Sequence, residues 1–171
     1  DDALGVINKS FVMGSAVKGA TVAGGLMNGV ITPTNNVMPD TPIYLPGSPI
    51  KKSLYPVGTF GSLNAPTALE VSSNIYMMRL ALRWVNAKYT PHSFISMPSD
   101  AFTKLRRNFA MFGLGQKTGV DLPGEVSGIQ GRSYNSAGQL LTGSVLDLSY
   151  GNYDAYTPIQ LVQYISTIAN G

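Results

Sequence analysis

The hexapeptide Gly14-Ser15-Ala16-Val17-Lys18-Gly19 opens an apolar segment that runs to Asn28. A serine at the start of a helix with a lysine three residues on carries its hydroxyl and the amine on one face. That pair suits acyl transfer in which lysine, rather than histidine, activates a serine nucleophile. A Ser-x-x-Lys string is expected roughly once by chance in a chain of this length. A second one is present, Ser48-Pro49-Ile50-Lys51. Context separates them: Gly14 allows a sharp entry and an apolar run follows Lys18, whereas Ser48 is followed by Pro49 and soon by Pro56, with no helical period between.

Short strings that set a serine hydroxyl two residues before an asparagine amide are further candidates for polar groups beside such a pair. The chain has three, Ser62 to Asn64, Ser72 to Asn74 and Ser133 to Asn135. Ser72-Ser73-Asn74 alone lies between two helix-like segments, where a rigid scaffold holds it. A Lys117-Thr118-Gly119 string offers another lysine beside a hydroxyl, but it follows a glycine-rich helix stop and runs into a proline turn instead of along an alternating strand. It is read as a chance match.

The 171 residues are 44% hydrophobic with 12 basic and 9 acidic side chains, enough for one domain with a core and too apolar for disorder. The basic pairs Lys51-Lys52 and Arg106-Arg107 are expected to be solvated surface, and no dense basic face supports nucleic-acid binding. The absence of cysteine excludes disulfides and thiolate catalysis. His92 is the single histidine, between turn-prone residues, so neither a Ser/His/Asp triad nor a histidine metal cluster is supported. No apolar run approaches the roughly 20 residues that span a bilayer, and no signal peptide opens the chain, so any membrane anchor is expected outside it. The chain reads as part of a longer protein, with no internal repeat and no low-complexity tract.

The pattern is mostly helical. Residues 15 to 28 carry Gly19, Gly24 and Gly25 and make a marginal helix that needs burial. Residues 30 to 61 read as a long ordered loop or a pair of short strands. Asn64 before Ala65-Pro66 suits a helix start. In 73 to 86, Ile75, Met78, Leu82 and Val85 mark one core-facing helix face. Ser99 or Asp100 caps a helix with Phe102, Leu105, Phe109 and Phe112 inward, Arg106 and Arg107 outward, and Gly113 as the stop. Thr157-Pro158-Ile159-Gln160 is a capping box opening a helix through Leu161, Tyr164, Ile165 and Ile168.

Taken in order, Gly14 to Gly19, then Leu69-Glu70-Val71-Ser72-Ser73-Asn74-Ile75-Tyr76-Met77, then Phe112-Gly113-Leu114-Gly115 leading to Thr118-Gly119-Val120-Asp121-Leu122-Pro123-Gly124-Glu125, then Tyr156 to Leu161 with Ile168 to Gly171, resemble the transpeptidase domain of class B penicillin-binding proteins of the Gram-positive division type. The likeness covers nearly the whole chain. Many relatives have proline where this chain has Met13, a position ahead of the reactive groups. The resemblance implies an α/β penicillin-binding/β-lactamase-like transpeptidase fold, of which residues 1–171 are a partial domain: the mainly helical portion, lacking much of the central antiparallel sheet. It places the catalytic Lys-Thr-Gly on a strand downstream of the Thr-Pro-x-Gln-Leu helix, so Lys117 is not catalytic.

The resemblance further implies a D,D-transpeptidase with catalytic Ser15, Lys18, Ser72 and Asn74 and neither cofactor nor metal. Lys18, neutralised by burial and a neighbouring cation, takes the Ser15 proton; Ser72 passes a proton to the leaving amine; Asn74 binds the substrate amide and Lys18. One oxyanion donor is the Ser15 N–H and the other belongs to the downstream strand, so the chain by itself is expected to be incomplete as a catalyst. Implied partners are peptidoglycan stem peptides ending in D-Ala-D-Ala, β-lactam antibiotics and cell-wall synthesis proteins, at the extracellular face of the cell membrane. The competing readings are a β-lactam sensor, a class A β-lactamase (for which no deacylating glutamate is evident) and a non-catalytic cell-wall assembly scaffold.

Overall fold

The computed structural model describes residues 3–171. Their helices are α1 (Gly5–Asn8), α2 (Lys18–Met27), α3 (Ala65–Glu70), α4 (Asn74–Trp84), α5 (Ala101–Met111), α6 (Thr142–Ser149) and α7 (Pro158–Asn170). A single 3₁₀ turn, Gly14–Val17, leads into α2. Strand β1 (Phe11–Val12) pairs antiparallel with β4 (Ala155–Tyr156), and β2 (Met38–Pro39) with β3 (Ser62–Leu63). Among the described residues these two-stranded ladders and isolated bridges make up the β-structure, which agrees with a helical portion short of a central sheet.

Helix α2 sits at the centre, against α4 and α5. Each of its glycines costs roughly 0.5–1 kcal/mol relative to alanine in a helix interior. The compensation is close packing onto bare backbone. Asn108 of α5 donates to the Ala20 carbonyl at 3.0 Å, and a Cβ on Gly24 would overlap its amide. Tyr164 of α7 accepts the Ala20 N–H at 3.1 Å, and a Cβ on Gly19 would run into its hydroxyl. Burial thus holds a helix that propensity alone would leave marginal.

Asn64 caps α3, its Oδ1 accepting the Thr67 N–H at 2.9 Å. In α4 the expected face, Ile75, Met78, Leu82 and Val85, is buried, but so are Tyr76, Met77, Leu80 and Ala81. Packed by α2 and α6, α4 is a core helix instead of an amphipathic one. In α5, Phe102, Leu105 and Phe109 are buried, as is Phe112 just beyond its end. Asp100 occupies the cap position without a side-chain cap bond.

Arg106 departs from the expected solvated pair. Its guanidinium grips Asp154 with two 2.8 Å hydrogen bonds, donates to the Gly131 carbonyl and lies 4.7 Å over the Phe102 ring. Asp154 is buried, and the bidentate, stacked guanidinium together with the Gly131 N–H, which donates to Oδ1 at 2.9 Å, compensates that burial. Arg107 remains exposed. At the start of α7, Gln160 Oε1 accepts the Thr157 N–H at 3.4 Å, the glutamine half of the expected box, and also the Gly115 N–H at 3.1 Å.

Candidate active site

The 3₁₀ turn Gly14–Val17 carries Ser15, and Lys18, the first residue of α2, closes that turn by donating its N–H to the Ser15 carbonyl. In a 3₁₀ turn residues at i and i+3 lie on the same side. Gly14 enters the turn with φ +58° and donates its N–H to the Gly151 carbonyl at 2.9 Å. Gly151 is itself at φ +83°, and a Cβ there would overlap the Gly14 carbonyl and the Val17 side chain. The turn that carries Ser15 is therefore locked against the segment joining α6 to β4. Ser15 is exposed, and Lys18, one turn on, is only 2% exposed.

From α2 the buried amine reaches the turn between α3 and α4. Lys18 Nζ donates to the Ser72 carbonyl at 2.7 Å, to Ser72 Oγ at 3.0 Å and to Asn74 Oδ1 at 2.7 Å. An ammonium has three hydrogens, and each finds an acceptor. Burial pulls its pKa down from the ordinary lysine value to about 8, and among the described residues no cationic neighbour adds to the shift. A neutral amine keeps two hydrogens for the carbonyl and the amide oxygen, neither of which can donate. Its lone pair is then free to meet a hydroxyl.

Ser72 has φ +55°, a left-handed conformation costing roughly 1–2 kcal/mol for a residue with a side chain. That turn is what aims both its carbonyl and its hydroxyl at Lys18. Ser73, fully buried, caps α4 by accepting the Tyr76 N–H at 3.0 Å. Asn74 is the first residue of α4, so its amide leaves from a fixed helix start.

The structure thus brings Lys18, Ser72 and Asn74 into direct contact, with Ser15 on the same short turn as Lys18. The alternatives are engaged elsewhere. Lys51 is ion-paired to Asp147 at 2.6 Å and Ser48 is not helical. Asn64 is a cap, and Ser133 accepts from Arg106. Thr118 and Gly119 lie in coil and donate to the Glu125 carboxylate. His92 is an exposed loop residue stacked on Tyr44. Sequence reading missed Asp40, Ser53 and Tyr55, which lie behind the Ser72–Asn74 turn. They come from an irregular loop, and no spacing rule marks them.

The family model of the penicillin binding protein transpeptidase domain matches residues 1–171, and the chain belongs to that family. It is 44% identical over its full length to penicillin-binding protein 2A of Bacillus subtilis, spanning 23% of that protein. It is 29% identical to the peptidoglycan D,D-transpeptidase FtsI of Escherichia coli over 96% of the chain and 24% of that protein. Among solved structures, penicillin-binding protein 2B of Streptococcus pneumoniae matches with a TM-score of 0.83 at 40% identity, over 99% of this chain and 27% of that one. The chain therefore spans about a quarter of the length of these relatives. The fold is that of part of a penicillin-binding protein transpeptidase domain, as the resemblance implied.

Proposed function

We propose that this chain forms part of a D,D-transpeptidase that cross-links peptidoglycan stem peptides through an acyl-enzyme on Ser15, and that β-lactams acylate the same serine. One observation carries this reading: a buried lysine amine with a lowered pKa, held on Ser72 and Asn74, stands on the turn that exposes Ser15. Membership of the transpeptidase family supports it. Residues 1–171 are proposed as one portion of the domain, working with sequence outside it that supplies the Lys-Thr-Gly strand and the second oxyanion donor.

The reaction runs as follows. Ser15 Oγ attacks the carbonyl of the penultimate D-Ala while its proton passes to the lone pair of neutral Lys18. The developing oxyanion takes the Ser15 N–H as one donor. Lys18, now an ammonium, has Ser72 Oγ at 3.0 Å, so a proton moves through that hydroxyl to the leaving amine as the C–N bond breaks. D-Ala departs and an ester on Ser15 remains. An amine of a second stem peptide then attacks the ester; its proton returns along the same path to Ser15 as the cross-link forms. Asn74 keeps Lys18 oriented and offers its amide to the substrate. A β-lactam follows the first half-reaction, but its leaving amine stays tethered and the ester persists.

The site is proposed to face the outside of the cell membrane, where its substrate and cell-wall synthesis partners are; no described helix is long and apolar enough to cross a membrane. The test is the intact mass of the full-length protein with and without benzylpenicillin, followed by peptide mapping. One long-lived adduct on Ser15, absent in Ser15→Ala, is expected. No adduct, or an adduct on another serine, refutes the assignment.

A further inference from the structure

Behind the Ser72–Asn74 turn lies a run of four side chains from three separate stretches of chain, of which Asp40, Ser53 and Ser73 are buried and Tyr55 is partly so. Ser53, 2% exposed, accepts the N–H groups of Asn74 at 3.0 Å and Ile75 at 3.1 Å. These are the first two N–H groups of α4, which the helix itself cannot satisfy. Ser53 Oγ lies 3.3 Å from Ser73 Oγ; Ser73 Oγ lies 2.9 Å from Tyr55 Oη; Tyr55 Oη lies 2.7 Å from Asp40 Oδ1.

Counting hydrogens fixes the direction of this run. The two lone pairs of Ser53 are filled by Asn74 and Ile75, so its hydrogen goes to Ser73. Ser73 Oγ, which also accepts the Tyr76 N–H, is then full as an acceptor and gives its own hydrogen to Tyr55. A phenol has one hydrogen, and Tyr55 gives it to Asp40. Every hydroxyl donates once and none accepts more than twice, and the opposite direction at any link leaves an oxygen over-subscribed or a hydrogen without an acceptor. The chain runs from the positive end of α4 to a buried carboxylate, a favourable charge arrangement. The preceding residue of the same loop, Lys52, accepts from Asn74 Nδ2 through its carbonyl at 3.4 Å.

We infer that Ser53, with Ser73, Tyr55 and Asp40 behind it, is a positioning device for the reaction: the chain fixes the first turn of α4 and with it the direction in which Asn74 presents its amide to Lys18. None of the four needs to touch substrate. The loop holds Asn74 twice, by its backbone through Ser53 and by its side chain through the Lys52 carbonyl, while Lys18 holds it from the other side at 2.7 Å. Ser73, the middle residue of the Ser-x-Asn string, is in this account a relay in the chain and not a spacer.

The inference rests on the transpeptidase reading, and the test separates the two. The full-length protein and its Ser53→Ala and Tyr55→Phe variants are titrated with benzylpenicillin, resolving the acylated fraction, the binding constant of the initial complex and the acylation rate within it. Loss of Ser53 is expected to lower the acylation rate about tenfold with the acylated fraction and the binding constant unchanged. Tyr55→Phe, two links away and close in shape, should show a smaller loss of the same kind, and it carries the comparison should Ser53→Ala not fold. Acylation rates unchanged from wild type in both variants overturn the inference. So does a reduced acylated fraction at an unchanged rate, which marks a purely structural role. A wild type that takes no adduct refutes the transpeptidase reading itself.

Discussion

Two polar triplets in this chain have much the same look in sequence and opposite fates in space. Ser72-Ser73-Asn74 turns between two helices, spends strain at Ser72 and converges on a buried amine from a third helix. Lys117-Thr118-Gly119 lies in coil, its lysine exposed, and the backbone of Thr118 and Gly119 and the Thr118 hydroxyl wrap the nearby Glu125 carboxylate. The first triplet has long-range partners on every polar group that matters; the second is closed on itself. Chemistry needs the first arrangement, because groups from different elements must be fixed relative to one another before a proton can move between them.

The largest break of this comparison comes from Lys18→Met. Methionine matches the length of the stem but removes the base and leaves the Ser72 carbonyl and Asn74 Oδ1 without their donor. Acylation by benzylpenicillin should fall by at least about 10³-fold, combining the loss of general-base action with that of its alignment. The apolar replacement also removes a buried amine, so the folded fraction measured by circular dichroism should be retained. A variant acylated at near wild-type rate would show that Ser15 is activated by some other group, and the contrast between the triplets would lose its chemical meaning.

The pH dependence sharpens the same point. In the proposed mechanism only neutral Lys18 accepts the Ser15 proton, and its pKa is lowered to about 8 by burial. Below that value the neutral fraction falls, so the acylation rate should drop about tenfold per unit as pH is lowered, and level off above it. Stopped-flow acylation between about pH 6 and pH 10 measures the midpoint. A midpoint near the ordinary lysine value would mean that the amine is solvated in the working protein and that the buried cluster opens before reaction.

Sequence reading served best where physics is local. The Asn64 cap and the buried apolar face of α4 follow from neighbours within one or two turns. It failed where the partner is distant. Arg106 looks like surface beside Arg107, yet its carboxylate lies 48 residues away, on a segment with no pattern to announce it. Lys51 also looked solvated and is paired with Asp147, 96 residues on. Gly24 looked like a helix weakness and is the seat of Asn108. Ser53, Tyr55 and Asp40 belong to the same class of miss: irregular loop residues whose order comes wholly from what they touch.

The smallest effect belongs to the second triplet, and its smallness is the point. Lys117→Ala should leave the acylation rate unchanged, since the exposed side chain reaches none of Ser15, Lys18, Ser72 or Asn74 by any contact in the structure. Glu125→Gln is the more informative change. Glu125 Oε1 accepts from the Thr118 N–H and hydroxyl, and Oε2 from the Gly119 N–H at 3.1 Å; these hydrogen bonds, Thr118 first, hold its pKa below the usual carboxylate range. A glutamine must point its NH₂ at one of these donors, so the melting temperature should fall slightly while acylation is untouched. A carboxyl with a lowered folded-state pKa stabilises the fold above its unfolded value and loses that contribution as pH falls through the folded one. The gap between wild type and Glu125→Gln should therefore be open near neutral pH and close as the pH falls below the usual carboxylate range. A gap that persists in acid would mean that Glu125 acts through packing rather than charge, and a loss of acylation in either variant would make Lys117-Thr118-Gly119 part of the site after all.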